Sequence, residues 1–268
     1  MPKHIINRIV HVAATLLCLS CMILPALAVP ADSPSSCSSR VHHKASAGSA
    51  VIGQLENGTK VTVLDETDDF YKISCYETDG YIAKEQLIKK GSEYYVNCTA
   101  GSDDTQSVSY VPMADALQLR SSILELSQEQ LNKPYIRAGS GPRGFDCSGL
   151  AYYVYGKNGF TIQRSADVQM SDGLIIPRDS LQVGDLVFFR NPYSRWLATH
   201  VGIYAGNNKM IHSASGGVQY TDLDTEYYAS RYVGARRIVN VSTEGVELAP
   251  SAASAMMPRI RTGMRTAD

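Results

Sequence analysis

At 268 residues the chain has room for one large domain or two modest ones. Hydrophobic residues make up 44% and charged residues 19%, enough apolar material to exclude a wholly disordered chain. With 25 Lys and Arg against 26 Asp and Glu the net charge is -1, which excludes a surface built to neutralise nucleic-acid phosphates.

Residues 1–28 open with Lys3 and Arg8, pass through an apolar stretch from Ala13 to Leu24 and end in Pro25-Ala26-Leu27-Ala28. A positive start, a short apolar run and an A-x-A end are the parts of a secretory signal, with cleavage expected after Ala28. The run falls short of the roughly 20 residues that a membrane span needs. A retained anchor is the alternative. Cleavage leaves 23 basic and 26 acidic residues, a mature charge of about -3. The expectation is a secreted, cell-wall or periplasmic protein with no membrane contact after cleavage. Cys18 and Cys21 leave with the signal, whereas Cys37, Cys75, Cys98 and Cys147 remain.

From Arg40 to Leu87 short β-prone runs alternate with turns: Val51–Leu55, the turn Glu56-Asn57-Gly58-Thr59, Lys60–Leu64, an acidic turn, Phe70–Ser74 and Gly80–Ala83. This spacing predicts a small β-barrel. The order of these runs resembles the bacterial SH3-like domain, with Phe70 where that family more often has Trp. Its expected extent is 38–92. Residues 93–111, rich in Ser, Asp, Thr and Gly towards their centre, are expected to be a linker. Ala116, Leu117, Ile123, Leu124, Leu126 and Leu131 then approximate the apolar stripe of a helix over 114–131. The Ser, Ala, Met and Arg-rich tail, 241–268, has no sustained period and is expected to be disordered.

The chemistry lies between Leu131 and Val239. Gly and Pro crowd the approach to Gly144-Phe145-Asp146-Cys147-Ser148-Gly149-Leu150, and the residues after Cys147 have helical character. A cysteine in the first turn of a helix meets free backbone N–H groups and the positive end of the dipole, so a reactive thiolate is expected. The bland alternative is an inert buried cysteine. If Cys147 is reactive, at most one bridge forms among Cys37, Cys75 and Cys98, and spacing does not choose the pair.

A thiol nucleophile needs an imidazole to take its proton. In this segment only His200 and His212 offer one, and both fall in one hairpin that turns at Gly206–Lys209. Alternation puts His200, Gly202 and Tyr204 on one face, with Val201, Ile203 and Ile211 on the core face. A two-residue loop at Asn207-Asn208 pairs Ile203 with His212 and turns His212 away. An odd-length or bulged loop pairs Gly202 with His212 and makes the imidazoles diagonal neighbours. The bulged form is expected.

Asn132-Lys133-Pro134-Tyr135, the Gly144–Leu150 run, Val183-Gly184-Asp185-Leu186-Val187-Phe188-Phe189, His200-Val201-Gly202-Ile203-Tyr204 and Met210-Ile211-His212 occur in that order. Together they resemble the NlpC family of bacterial cell-wall cysteine peptidases. The resemblance implies an α+β chain: a papain-like catalytic domain, helices packed on an antiparallel sheet, over 112–240, preceded by the SH3-like barrel. It implies Cys147 as nucleophile, His200 as general base and His212 as the orienting residue. Tyr135, Asp146 and Ser148 match positions that bind the substrate's amino end or support the reaction centre. The family's Trp-Gly-Gly run is here Ile136-Arg137-Ala138-Gly139.

The implied activity is peptidoglycan hydrolysis at a γ-D-glutamyl–diamino-acid bond. Stem peptides, including those with a free N-terminal L-Ala, are the expected partner. No nucleic acid, cofactor or metal and a monomeric state are expected. Asp146 pairing with an ammonium is weighed against a helix N-cap. Arg164 meeting a carboxylate is weighed against a solvated Arg. Asp185 reads as a turn residue rather than a catalytic acid. An N-acetylmuramoyl-L-alanine-type amidase, an acyl transferase, a non-catalytic wall-binding protein and a Cys-His-His metal site are the competing readings.

Overall fold

A computed structural model describes residues 35–98 and 105–241. The expected signal at 1–28 and the expected tail beyond Val241 lie outside the described residues. The first half holds β1 (Ser35–His42), β2 (Val51–Glu56), β3 (Lys60–Glu66), β4 (Phe70–Cys75), β5 (Thr78–Ala83), β6 (Leu87–Lys90) and β7 (Glu93–Val96). Strand β8 (Thr105–Val111) leads into α1 (Met113–Gln128), β9 (Ser140–Gly141), β10 (Gly144–Phe145) and α2 (Cys147–Lys157). The short α3 (Ala166–Gln169) and β11 (Leu174–Ile176) precede β12 (Leu186–Phe189), β13 (His200–Gly206), β14 (Lys209–Ala214) and β15 (Gly217–Asp222). The described chain closes with α4 (Glu226–Ala229), β16 (Tyr232–Arg237) and β17 (Asn240–Val241). Among the described residues no helix is long and apolar enough to cross a membrane.

The first half is built as its alternation predicts. Antiparallel pairs β1–β2, β3–β4, β4–β5 and β6–β7, with β3–β7 joining the ends, turn Val41, Ile52, Leu55, Val61, Ile73 and Ile82 into one buried core. The expected linker differs. Residues 93–96 form β7, paired to both β3 and β6, and residues 105–111 form β8 on the open edge of β1. Polar composition does not prevent either strand, because ladder bonds come from the backbone and a strand edge offers donors and acceptors to any chain within reach.

In the second half α1 and α2 pack on a sheet ordered β15-β14-β13-β12-β16-β11. Leu119, Ile123, Leu150, Val154 and Tyr155 from the helices meet Leu186, Phe188, Val201, Ile203 and Ile211 from the strands. On β12 Val187 and Phe189 are buried on the opposite face, which explains its uninterrupted apolar run. Asp185 just before β12 is buried, with its carboxylate bound by Arg237 at 2.8 Å and Arg120 at 3.5 Å. Its N–H donates to Gln182 O at 2.9 Å, so it is a turn residue that also serves as an internal ion-pair anchor.

The halves share one continuous sheet, because β11 pairs in parallel with β2 through Leu174 and Gln54. The fully buried Arg236 reinforces the seam, donating to Met170 O at 2.7 Å on one side and to Ile52 O of β2 on the other. Burial lowers its pKa to about 10, so it still carries its charge at neutral pH.

Candidate active site

The hairpin β13–β14 sets the histidines. Asn207 and Asn208 both take positive φ, 50° and 57°, as a two-residue turn with the right-handed twist of its strands requires. A bulge between Tyr204 and Gly206 adds one residue, leaving Tyr204 opposite Met210 and Ile203 opposite Ile211. This is the expected bulged register, and it keeps both histidines on one face. His200 Nε2 lies 2.8 Å from His212 Nδ1, with the rings nearly perpendicular. Gly202 lies between them in the chain because a Cβ there would stand 2.5 Å from the Met210 sulfur.

Two residues absent from the sequence reading complete this side. Thr221 Oγ1 is 2.7 Å from His212 Nε2, and the Tyr228 hydroxyl is 3.4 Å from His212 Nδ1. Strand β15 pairs His212 with Gln219 and Met210 with Thr221, so Thr221 is the diagonal neighbour of His212. The Ser215-Gly216 turn and simple parity carry that signal. Tyr228 lies on α4, and nothing local in the sequence indicates that α4 folds over the hairpin.

The contacts define a proton order. If His212 Nε2–H donates to Thr221, His212 Nδ1 is an acceptor for His200 Nε2–H. The basic nitrogen left to His200 is then Nδ1. The Tyr228 phenol, raised to about 12 chiefly by burial, stays protonated, and its hydroxyl stands 3.4 Å from the same nitrogen. Burial lowers His200 to about 4, and burial with the neighbouring ring lowers His212 to about 3. Both imidazoles are neutral at physiological pH.

Cys147 is the first residue of α2, as expected, and α2 packs against β13 and β14. The backbone N–H groups of Val201, next to His200, and of Ser148 and Cys147 itself favour the charged sulfur. Gly149 permits this placement: a Cβ there would lie 1.9 Å from the Gly139 carbonyl oxygen. The expected resting thiolate is corrected. Burial raises the thiol pKa, the three N–H groups lower it by less, and Asp146 adds repulsion. The imidazoles nearby are neutral and burial outweighs the helix start, so the site rests as thiol and imidazole.

Beside the sulfur lies a charged group. Asp146 caps α2, accepting from Gly149 N–H at 2.6 Å, and takes Arg164 across two nitrogens at 3.0 and 2.9 Å. Arg164 also donates to Ser148 Oγ at 3.0 Å and to Gly139 O at 3.2 Å. Arg164 is therefore not a freely solvated surface residue. Tyr135 is 44% exposed, and its phenol is raised by burial and by the proximity of Cys147 and Asp146, which puts it on the open rim of the same site. The structure thus gathers Tyr135, Asp146, Ser148 and Arg164 around the leading end of α2, and His200 and His212 beside it. Among the described residues no group of three or more His, Cys, Asp or Glu side chains is arranged to hold a metal ion.

A cysteine at a helix start beside two linked imidazoles on a β-hairpin defines a thiol-nucleophile site on an α+β scaffold dominated by sheet. The comparisons name that class: residues 132–237 match the NlpC/P60 family and residues 38–88 match the bacterial SH3 domain. The chain carries an NlpC/P60 family domain behind a bacterial SH3 domain. It is 46% identical over 121 residues to the murein DD-endopeptidase MepH of Escherichia coli, covering 43% of this chain and 44% of that one. It is 36% identical over 128 residues to the bifunctional muramidase/DL-endopeptidase CwlT of Bacillus subtilis, covering 47% and 39%. A γ-D-glutamyl-L-lysine dipeptidyl-peptidase of Bacillus cereus is 40% identical over 109 residues, covering 40% and 33%. The chain spans less than half the length of these relatives.

Proposed function

We propose that the protein is an exported cysteine endopeptidase that cleaves the γ-D-glutamyl–diamino-acid bond of peptidoglycan stem peptides. The observation that carries the reading is Cys147 at the start of α2, which packs against the hairpin where His200 Nε2 lies 2.8 Å from His212 Nδ1. His200 Nδ1 takes the thiol proton as the sulfur attacks the carbonyl carbon. The tetrahedral oxyanion forms near the N–H groups at the start of α2, which have no partner within the helix. His200 returns the proton to the departing amine, leaving a thioester. Water, deprotonated by the same nitrogen, then releases the γ-D-glutamyl acid and restores the thiol. His212 and Thr221 hold the His200 ring and its tautomer.

The activities named for the three relatives concern different bonds. The γ-D-glutamyl bond is supported by the Bacillus cereus relative's name and by the charged group beside Cys147. The proposed preference for stems with a free L-Ala amine rests on Asp146, whose carboxylate side chain remains 14% exposed despite Arg164. The incoming ammonium shares that carboxylate. The barrel, joined to the catalytic half through β2 and β11, restricts the approach or grips the wall. The proposed barrel, expected over 38–92, runs on through β7 to Val96, and the proposed catalytic extent is 112–240, with β8 between them contributing a strand rather than a plain tether.

Incubating purified sacculi and free L-Ala-γ-D-Glu-diaminopimelate peptide with the protein tests the reading. The expected outcome is release of L-Ala-γ-D-Glu from the free peptide, and its loss by at least about 10⁴-fold in Cys147→Ala. Unchanged cleavage by that variant would exclude the proposed nucleophile. Mass spectra showing sugar-linked amide cleavage instead would favour an amidase.

A further inference from the structure

Three cysteines stand apart from the catalytic group: Cys37 on β1, Cys75 at the end of β4, and Cys98 just after β7. Cys75 is 4% exposed in the barrel core, and its thiol donates to Lys60 O at 3.8 Å. Cys37 and Cys98 meet each other. On β1, Cys37 and Ser39 are two residues apart and share a face. The Cys98 sulfur lies 3.4 Å from Ser39 Oγ and is in side-chain hydrogen-bond contact with Cys37. One residue ties both backbones: the Asn57 backbone N–H donates to Cys37 O at 3.2 Å, and the Asn57 side-chain Oδ1 accepts from Cys98 N–H at 3.2 Å.

We infer that Cys37 and Cys98 form a disulfide that staples the first strand of the barrel to its last, immediately before the chain continues to the catalytic half. The oxidant is a disulfide-bearing thiol carrier, either a small-molecule disulfide or an oxidoreductase. The partly exposed Cys37 attacks one sulfur of the carrier, forming a mixed disulfide and releasing the first carrier thiol. Cys98 then attacks the Cys37 sulfur and releases the second. One S–S bond is broken and one formed, and the two cysteine hydrogens end on the two carrier thiols. Burial, the main cause, pushes the Cys98 thiol up to about 12. The disulfide, like the protonated thiol, carries no charge, so surroundings that resist ionisation accommodate the bridge. The staple anchors β1, which pairs with β2 and β8 and so lies next to the seam between the halves.

The test uses the full chain equilibrated in oxidised and reduced glutathione, alkylated under denaturing conditions and digested without reduction. Peptide mass spectrometry should recover the Cys37 and Cys98 peptides cross-linked, about 2 Da below the sum of the two thiol peptides, with Cys75 and Cys147 alkylated. The Cys75→Ser variant should retain the cross-link, which separates this pairing from one involving the core cysteine. Reducing the bridge should lower the midpoint of barrel unfolding by a shift that Cys37→Ser abolishes. Recovery of both Cys37 and Cys98 as alkylated or glutathione-capped peptides at every glutathione ratio overturns the inference, as does a bridge from either to Cys75.

Discussion

Cys147 divides two environments that differ in how each handles charge. On one side Asp146, Arg164 and Ser148 form an ion-paired, hydrogen-bonded group, and the Arg164 side chain is 38% exposed. On the other His212 is buried, with half-buried His200, Thr221 and Tyr228 around it, and desolvation has removed the charge from both imidazoles. Full charges near water can recognise a charged substrate while losing little hydration. A proton relay benefits from the opposite. In a dry site a neutral base receives the proton only as the nucleophile attacks, and the resulting ion pair is stabilised by fixed N–H groups rather than by solvent that must reorganise.

Breaking the buried side should have the largest consequence. His200→Gln removes the base while roughly preserving shape, and stem-peptide cleavage is expected to fall about 10³-fold, within the usual range for a lost general base. Single-turnover assays against intact thermal midpoints would check it. A smaller loss would place the base elsewhere.

Acid should act on the same group. The folded His200 and His212 pKa values, about 4 and 3, lie below the ordinary 6.5. The unfolded chain therefore binds protons that the folded one refuses between pH 6.5 and about 3, and stability should fall as pH drops through that window. The acid limb of kcat/KM should lie below pH 5 rather than near 6.5. Iodoacetamide labelling of Cys147 should keep rising beyond pH 9, because burial raises its pKa. A labelling plateau at pH 5 would mean a standing thiolate.

Thr221→Val keeps the volume but removes the partner of His212 Nε2. A loss of about 10-fold in kcat is expected, the worth of roughly one hydrogen bond to a buried polar group. Thr221→Ser should restore most of it, and the acid limb should move in the valine variant alone. An unchanged pH profile would reduce Thr221 to packing.

The charged side should respond least in kcat. Arg164→Ala leaves Asp146 capping α2, so a change in KM of a few-fold is expected with kcat nearly constant. The change should shrink in high salt, since the pair is partly exposed. An equal fall in kcat would show that Arg164 orders the nucleophile rather than the substrate.

Much of this arrangement is legible in local sequence. Alternation in 51–83 specifies the barrel strands, and the Gly144–Leu150 run specifies a helix starting at Cys147, because turn chemistry and side-chain period act within a few residues. The pairing of His200 with His212 also follows from parity once Asn207-Asn208 is read as a turn with one extra residue before it. Thr221 was within reach of the same reasoning carried one strand further. Three features are not local. The strands within 93–111 depend on open edges supplied by β1, β3 and β6, and polar composition conceals them. Arg164 becomes the partner of Asp146 only when the chain after α2 folds back over its leading end. The charge state of Cys147 follows the same rule: the helix start favours a thiolate, but burial by β13 and the neutral imidazoles outweighs it.

The linear chain by itself determined the barrel strands within 51–83, the place of Cys147 at a helix start and the shared face of the two histidines, since each depends on backbone period and short turns. Tertiary structure alone decided the protonation of the site, the ion pair beside it and the meeting of Cys37 with Cys98. Those depend on desolvation and on contacts between segments far apart in the chain, which no window of neighbouring residues contains.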